Sequence, residues 1–385
     1  MIERFAAASM SLFGYGSLDG MKPFLQREGI HKALIVTDAS IHKLGLLNPV
    51  TKVLEDAQIS YVIYDEVMPN PTLENVNNGV QCMKENSCDA IIAVGGGSAN
   101  DCAKAIRVLE ANGGKMQDYV GGNRSRVKGK YLVAINTTAG TASEVSRAYL
   151  ISNEQEKVKM IFKDDYAMPD LAVNDIQLMM KLPGKLTAQT GMDALTHAME
   201  AYISSTRFAL TNILALDAIR LITDNLEKAV NEPDNQDARA NMSLGQYLAG
   251  LSFGSSGLGL VHAMAHQMGA MYHLPHGLCN AVLLPYVLEY DYPWCKQQFA
   301  EIAELLDRVW CEGKTLDEKA QYTLQYVKDL SARVGTNVAL KDLGIPREDI
   351  PVLAERSFAD GCINTSPKMP EMQDVIHIFE QAWEH

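Results

Sequence analysis

The feature that most constrains the fold is a change in hydrophobic periodicity near residue 182. Before it, short β-branched runs alternate with stretches of helical spacing, and each run ends in polar or glycine residues. The runs are KALIVTD (32–38), ISYVIYD (59–65), DAIIAVGGG (89–97), KYLVAINTT (130–138) and LAVND (171–175). This alternation predicts a parallel sheet covered by helices, with ligands bound at the carboxyl ends of the strands.

After Pro183 the strand signal almost disappears, and long apolar stripes at helical spacing follow one another. They are LTAQTGMDALTHAMEAYI, NILALDAIRLITDNLEKAV, ARANMSLGQYLAGLSF, GLVHAMAHQMGAMY and FAEIAELLDRVW. A chain of 385 residues is long enough for two domains with separate cores. We therefore predict an α/β domain over residues 1–182 and an all-helical domain over residues 183–385, with the boundary between residues 181 and 184.

Composition narrows the partners and the compartment. The formal net charge is −13 and no basic stripe occurs, which argues against nucleic acid or an anionic membrane as a partner. The sequence has no run of about 18 apolar residues, and its start makes a poor secretory signal. Seven cysteines without a CxxC pair predict reduced thiols in a cytoplasmic protein.

A cluster of histidines is the strongest pointer to chemistry. Four of the nine histidines fall between positions 262 and 276, and another follows an aspartate by four residues. Residues four apart share one face of a helix, so each such pair presents two polar side chains together. The pairs are Asp193/His197 and His262/His266. A lone histidine is more often a packing or surface residue. Taken together, however, Asp193, His197, His262 and His276 predict a metal site.

The segment IIAVGGGSANDCAKA predicts a strand, a tight turn and a helix. Three successive glycines have no side chains that would keep the backbone away from a phosphate: Gly95, Gly96 and Gly97. Ser98 stands at the amino end of the helix, where free amides and the helix dipole favour a pyrophosphate. The turn is neither GxGxxG nor a P-loop, and glycine triplets also occur in ordinary turns.

Asp38, at the end of a predicted strand, can accept both ribose hydroxyls of an adenosine and would repel a 2′-phosphate. It precedes the glycine turn, whereas the usual acid follows that turn by ~20 residues, and a helix cap is the alternative interpretation. NTTAGTASEVS (136–146) suits phosphate or nicotinamide contacts but could also be a capped loop. Asn70, between two prolines, forms a rigid polar turn.

Four segments resemble signature segments of the iron-dependent (group III) alcohol dehydrogenases, in the branch with lactaldehyde reductase, 1,3-propanediol dehydrogenase and short-chain alcohol dehydrogenases. They are VGGGSANDCAKA, INTTAGTASEV, LTAQTGMDALTHAMEAY and GLGLVHAMAHQMGAMYHLPHGLCNAVLLP. The resemblance implies a dehydroquinate-synthase-like fold, with an α/β dinucleotide-binding domain, an all-α domain, and cofactor and metal meeting in the cleft. It also implies a homodimer or larger assembly in which an N-terminal strand reaches the neighbour.

The same resemblance assigns site residues. The implied metal ligands are Asp193, His197, His262 and His276. The implied NAD(H) contacts are Asp38, Asn70, Gly95, Gly96, Gly97, Ser98, Thr137, Thr138 and Lys159, and the implied pocket residues are Phe253 and Cys362. His266 falls near the nicotinamide, and we predict that it relays the alcohol proton, because imidazole exchanges protons near neutral pH. A packing role is its alternative, and His273 is expected to be an exposed loop residue.

These features predict a metal-dependent NAD(H)-linked oxidoreductase that uses Fe²⁺, or Zn²⁺ or another divalent ion. The expected substrates are small primary alcohols or diols: lactaldehyde/1,2-propanediol, ethanol/acetaldehyde or 1,3-propanediol. Arg147 could instead favour an anionic aldehyde such as sulfoacetaldehyde. The sequence is also compatible with a glycerol-dehydrogenase-like polyol dehydrogenase, a dehydroquinate-synthase-like lyase or a non-enzymatic metal-stabilised nucleotide-binding protein. The non-enzymatic interpretation is disfavoured because structural metal sites ordinarily contain cysteine.

Overall fold

The structure is a computed structural model that describes residues 3–156 and 158–384. The chain divides into two compact units. The sheet unit is Ala6–Lys181, and the helical unit is Leu182–His385 with Met1–Phe5. The change of unit at Leu182 falls where the hydrophobic periodicity changes from mixed to helical.

The sheet unit is built on six parallel strands. They are β1 (Met10–Phe13), β2 (Lys32–Val36), β3 (Ser60–Tyr64), β4 (Ala90–Gly95), β6 (Tyr131–Asn136) and β9 (Leu171–Asn174). Their order is β1-β9-β6-β4-β2-β3. Alternate side chains of β2 enter two separate apolar cores, Leu34 on one face and Ile35 on the other. Because both faces are covered, the central strands are continuous apolar runs.

A second, three-stranded sheet lies in the same unit. Its strands are β5 (Gly121–Gly122), β7 (Ala148–Asn153) and β8 (Val158–Lys163), in the order β5-β8-β7. The helices of the unit are α1 (Lys22–Arg27), α2 (Ala39–Lys43), α3 (Asn48–Asp56), α4 (Leu73–Glu85), α5 (Gly97–Asn112) and α6 (Ile176–Met179).

The helical unit contains helices and no strand among its described residues. Its helices are α7 (Gly184–Ile203), α8 (Ala209–Asn231), α9 (Gln236–Ser256), α10 (Leu260–Tyr272), α11 (His276–Leu306), α12 (Leu316–Arg333), α13 (Ile350–Ala359) and α14 (Met372–Glu384). α7 packs against α8, α9 and α11 and is buried along most of its length. A helix that is enclosed on all sides forms the centre of a domain, and α7 carries two predicted metal ligands.

The predicted fold class is confirmed. All five predicted strands are present, each slightly shorter than its sequence run, as β2, β3, β4, β6 and β9. β1 and the three-stranded sheet were not predicted, although β7 alternates partly and fully buried residues in the way expected of a half-covered strand. Within the described residues, no single helix has the length and hydropathy to cross a membrane. Helices α9 and α10 reach that length and hydropathy when they are taken together, but the chain bends by 103° at the break between them.

Candidate active site

Three helices of the helical unit supply the four predicted metal ligands. Asp193 and His197 lie one turn apart on α7, His262 is in the first turn of α10, and His276 is the first residue of α11. The start of α11 approaches α7 closely at Gly277, where a Cβ would lie only 2.6 Å from a backbone oxygen of α7. A glycine is therefore needed to bring the two helices together at this point.

The four side chains converge. One donor atom from each lies within 4.8 Å of the donor atoms of all the others. Asp193 Oδ1 is 3.9 Å from His197 Nε2, 4.0 Å from His262 Nε2 and 3.7 Å from His276 Nε2. Ligand atoms lie about 2.0–2.2 Å from Zn²⁺, so two ligands of one ion can be about 4.4 Å apart at most. The distances from Asp193 therefore fit a single divalent ion.

The protonation of the cluster also fits a cation. Burial lowers the pKa of His262 well below its ordinary value, so the ring is neutral. Burial raises the pKa of Asp193, while His197 and a hydrogen bond from Asn280 oppose that rise. Asn280 Nδ2 lies 2.6 Å from Asp193 Oδ1 and 3.0 Å from His262 Nε2. An amide nitrogen only donates hydrogen bonds, so both atoms face it with lone pairs, which are what a metal ion needs.

Of the two predicted pocket residues, Phe253 lies beside the predicted ligand His197 and Cys362 lies beside His266. Phe253 is buried on α9, and its ring stacks on His197 with centroids 4.5 Å apart. Cys362 is half-buried in the turn after α13, where its N–H donates to Asp360 Oδ1 at 2.9 Å. Donor atoms of Cys362, Asp360 and His266 lie within 4.8 Å of one another. Phe253 thus borders the four-residue cluster, and Cys362 lies beside the neighbouring His266.

His266 is buried one turn after His262 and lies outside the four-residue donor set. Its Nδ1 is 2.7 Å from Asp360 Oδ2, and its ring stacks on that of His276 with centroids 5.3 Å apart. His273 is exposed and ends α10 in a left-handed conformation, at φ 55°. The structure therefore places His266 beside the cluster and His273 at the surface.

In the sheet unit, three neighbouring strands bring the predicted cofactor residues to one edge. Asp38 follows β2, Gly95 ends β4, and Thr137 follows β6. The Thr137 N–H donates to the Gly95 oxygen at 3.2 Å, and Thr37 Oγ1 donates to the Val94 oxygen at 2.8 Å. These bonds extend the strand pairing to the residues that carry the predicted contacts.

The glycine turn has a packing role that the sequence did not reveal. A Cβ at Gly96 would lie 3.1 Å from Thr138 Cγ2, and a Cβ at Gly97 would lie 3.1 Å from Thr141 Cγ2. The glycines therefore allow the loop after β6 to lie against the start of α5. The residue before α5, Gly96, offers no capping side chain, and Ser98 lies in the first turn of the helix. The amides of that turn keep the anion-binding character predicted from the sequence.

Asp38 acts as a helix cap, the alternative interpretation of its place in the sequence. Its Oδ1 accepts hydrogen bonds from the N–H groups of Ser40 at 2.8 Å and Ile41 at 3.0 Å. Both bonds use the same carboxylate oxygen, so capping α2 does not by itself occupy Oδ2. A cap and a ribose contact are therefore compatible in the geometry of this side chain.

Asn70 and Lys159 lie on adjoining segments. Asn70 adopts a left-handed turn at φ 59°, just before α4. The neighbouring Pro71 oxygen accepts the N–H of Ser152 at 2.7 Å, and Ser152 is the register partner of Lys159 across β7 and β8. The two predicted contacts are thus linked through the three-stranded sheet.

Arg147 donates to Asp165 Oδ1 at 2.6 Å, and its side chain is only 12% exposed. Its charge is therefore balanced inside the sheet unit. This ion pair gives Arg147 a partner within the sheet unit.

Three buried residues of the site were missed from the sequence: Glu200, Asn280 and Asp360. Two of them had a local signal. Glu200 follows Asp193 by seven residues, and Asn280 follows His276 by four, so both spacings repeat the helical period. Asp360 had none, because it reaches His266 from a turn 94 residues away.

The chain matches a known family over nearly its whole length. Residues 8–176 match the family described as iron-containing alcohol dehydrogenase, and residues 187–383 match the C-terminal part of the Fe-containing alcohol dehydrogenase family. The chain therefore belongs to the iron-containing alcohol dehydrogenases and is an oxidoreductase. The resemblance predicted from the sequence is confirmed, and the non-enzymatic interpretation is set aside.

Individual relatives agree over full length. Alcohol dehydrogenase 4 of Saccharomyces cerevisiae is 41% identical over 386 residues, covering 100% of this chain and 99% of the relative. An NAD-dependent methanol dehydrogenase of Bacillus methanolicus is 38% identical, covering 99% and 100%. The crystal structure of a 1,3-propanediol oxidoreductase has a TM-score of 0.96 and 38% identity, covering 99% of this chain and 100% of that one.

Proposed function

We propose that this chain is a metal-dependent, NAD(H)-linked dehydrogenase that interconverts a small primary alcohol or diol with its aldehyde. The observation that carries the proposal is the convergence of one carboxylate and three imidazoles on a space that fits one divalent ion. In this proposal residues 1–182 form the NAD-binding domain and residues 183–385 form the metal-binding catalytic domain.

The metal would be held by Asp193, His197, His262 and His276. Fe²⁺ is the ion of the family, and the same mixed nitrogen and oxygen set suits Zn²⁺. When bound, the ion supplies a Lewis acid for the alcohol or aldehyde oxygen, and the nicotinamide carries the hydride. His276 is the most open of the four, with 27% of its side chain exposed, so the substrate oxygen would approach on its side.

His266 would relay the alcohol proton. Burial raises the pKa of Asp360, but its interactions with His266 and its hydrogen bonds from Cys362 together keep the pKa below its ordinary value. The ionised carboxylate accepts a hydrogen bond from Nδ1 of His266. This leaves Nε2 as the nitrogen that can take up the proton released by the alcohol.

The proposed NAD(H) contacts lie at the carboxyl edge of the sheet and on its neighbouring loops. The uncapped start of α5, with Gly95, Gly96, Gly97 and Ser98, would bind the pyrophosphate through backbone amides. Asp38 would accept the adenosine ribose hydroxyls. The remaining contacts are proposed for Asn70, Thr137, Thr138 and Lys159.

The substrate is proposed to be small and uncharged. Phe253 and Cys362 would line a fairly apolar pocket for about two to four carbons, because one side is an aromatic ring and the other a thiol. Lactaldehyde/1,2-propanediol, ethanol/acetaldehyde and 1,3-propanediol are the candidates. The Arg147–Asp165 ion pair disfavours a sulfonated aldehyde.

The same proposal covers assembly and compartment. β1 is an edge strand with exposed Met10 and Phe13, which supports a homodimer or larger assembly formed through this edge. All seven cysteines are free thiols, which supports a cytoplasmic location. Its only partners would be the cofactor, the substrate and further copies of the chain.

The test is anaerobic purification with added Fe²⁺, followed by NADH consumption with a panel of aldehydes. We expect metal-dependent reduction of acetaldehyde, lactaldehyde and 3-hydroxypropanal, and much slower reduction of sulfoacetaldehyde. Protein stripped of metal by a chelator is the control. Equal rates with and without metal, or a preference for sulfoacetaldehyde, would contradict the proposal.

A further inference from the structure

Glu200 is a buried acid on α7, one turn after His197, that lies outside the donor set. Its Oε1 accepts hydrogen bonds from the backbone N–H of Val261 at 2.7 Å and of His262 at 3.3 Å. Its Oε2 is bonded to Nδ1 of the His262 ring. We propose that Glu200 is a positioning residue for the metal: it fixes both the place and the tautomer of His262. This inference rests on the proposed metal site.

The place of His262 is set through the backbone. The first amides of a helix lack partners within the helix, and α10 has no capping side chain of its own at Gly259. The Glu200 carboxyl group supplies that acceptor at the positive end of the helix dipole. A Cβ at position 259 would lie 3.1 Å from Glu200 Oε1, so the approach is close. Glu200 thereby fastens the start of α10 to α7, the helix that carries Asp193.

The tautomer of His262 is set through the ring. With Nδ1 donating its hydrogen to Glu200 Oε2, the lone pair of the His262 ring is on Nε2. The contact on the other side of the ring agrees, because Asn280 Nδ2 donates towards Nε2 at 3.0 Å. A carboxylate that holds one nitrogen of a metal-binding imidazole orients the ring and strengthens the other nitrogen as a ligand.

Glutamine has the shape of glutamate but cannot do both tasks. If its NH₂ faces Nδ1, the hydrogen of His262 moves to Nε2 and blocks the ligand atom. If its NH₂ faces the backbone, it meets the N–H groups of Val261 and His262, and the start of α10 loses its acceptor. Glu200→Gln should therefore weaken metal binding through either orientation.

The helix offers a matched control. Asp360 is also a buried carboxylate bonded to Nδ1 of a histidine on α10, but that histidine is His266, outside the donor set. Glu200→Gln and Asp360→Asn thus replace a carboxyl group by an amide in the same kind of contact. Only the first of these contacts involves a proposed ligand.

The experiment measures Co²⁺ and Zn²⁺ affinity of metal-free protein by competition with a chromophoric chelator, together with the visible absorption bands of the Co²⁺ protein. We expect Glu200→Gln to raise the metal Kd by about 10–100-fold and to change the Co²⁺ bands. Asp360→Asn should leave both near wild type. Thermal unfolding of the metal-free variants shows whether a loss of affinity accompanies a general loss of structure.

Wild-type affinity in Glu200→Gln, or an equal loss in Asp360→Asn, would overturn the role of Glu200. His262→Ala separates this from the proposed function. If that variant also binds metal like wild type, the metal site itself is wrong; if it loses metal while Glu200→Gln keeps it, only the inference fails. Should Glu200→Gln not fold, Glu200→Asp replaces it. Its carboxylate is one methylene shorter and cannot reach both the ring and the amides, so wild-type affinity there would equally overturn the inference.

Discussion

The histidine cluster of the helical unit and the strand-end loops of the sheet unit present polar groups in opposite ways. In the cluster the groups are buried side chains that three helices bring to one point. At the strand ends they are mostly backbone amides and hydroxyls, and glycines make room for the loop that packs there. A substitution in the cluster therefore removes a donor atom, whereas a substitution at the strand ends adds atoms where little space exists.

The two regions also balance buried charge differently. In the sheet unit, the fully buried Lys104 donates to Ser143 Oγ at 2.7 Å and lies 3.9 Å from Asp101, so a cation and an anion compensate each other. In the helical unit, the ion-pair partners of Asp193 and Glu200 among the described residues are histidines. With His262 neutral, that cluster lacks a fixed cation. A buried carboxylate without one is costly, which is the electrostatic reason to expect a metal there and not in the sheet unit.

The largest effect is expected from His262→Ala. A missing ligand cannot be replaced by a neighbouring cysteine, so activity should be abolished and bound metal should fall well below one per chain by elemental analysis. His273→Asn is the control, because this exposed histidine lies outside the donor set and asparagine tolerates its positive φ. It should keep both metal and activity. Full metal occupancy in His262→Ala would refute the ligand assignment.

His266→Ala should separate proton transfer from metal binding within the same cluster. The variant should keep its metal and bind NADH, yet lose about 10²–10⁴-fold in kcat for alcohol oxidation. The dependence of kcat on pH should change as well. Loss of metal together with activity would make His266 a ligand or an essential support for one. An unchanged rate and pH profile would make it a packing residue.

How much of the fold and of the candidate site could be predicted depends on how far apart in the sequence the contacting residues lie. The members of two pairs are four positions apart, so helical periodicity alone places each pair on one helix face. The pairs are Asp193/His197 and His262/His266. The spacing of Glu200 from Asp193 places both on one face of α7, but the contact of Glu200 with His262, 62 residues away, has no local signal. The strand β5 of the small sheet was missed because its two glycines carry no alternating pattern, and its partner residues on β8 lie 41 positions later in the sequence. The packing role of Gly96 likewise depends on a loop 42 residues away.

Lys104→Met tests the balanced charge of the sheet unit. Removing Lys104 leaves the buried Asp101 without its ion-pair partner, so the free energy of unfolding in urea should fall by about 3–5 kcal/mol. Burial lowers the pKa of Lys104 from 10.5 to about 8. The unfolded chain therefore binds more protons between these pH values, and wild-type stability gains from this group as the pH rises from 8 to 10.5.

Lys104→Met should lose that pH-dependent gain. Exposed Lys130→Met is the control and should change stability by no more than about 0.5 kcal/mol. If Lys104→Met and Lys130→Met had the same midpoint of urea unfolding, the buried Lys104–Asp101 pair would contribute nothing to stability. The two units would then not differ in the way that they balance buried charge.

The smallest effect is expected at Asp38, where charge and capping act through the same carboxylate. Repulsion of a 2′-phosphate should make the wild type prefer NAD(H), and Asp38→Gly should narrow that preference, mainly by binding NADP(H) better. Glycine also removes the cap of α2, at a cost of a few tenths of a kcal/mol. Asp38→Asn isolates the charge, because its side-chain oxygen can still accept from Ser40 and Ile41. NADPH affinity measured by fluorescence should improve in both variants. If the wild type binds both cofactors equally, or if only the glycine variant improves, repulsion by the Asp38 charge is not what discriminates between them.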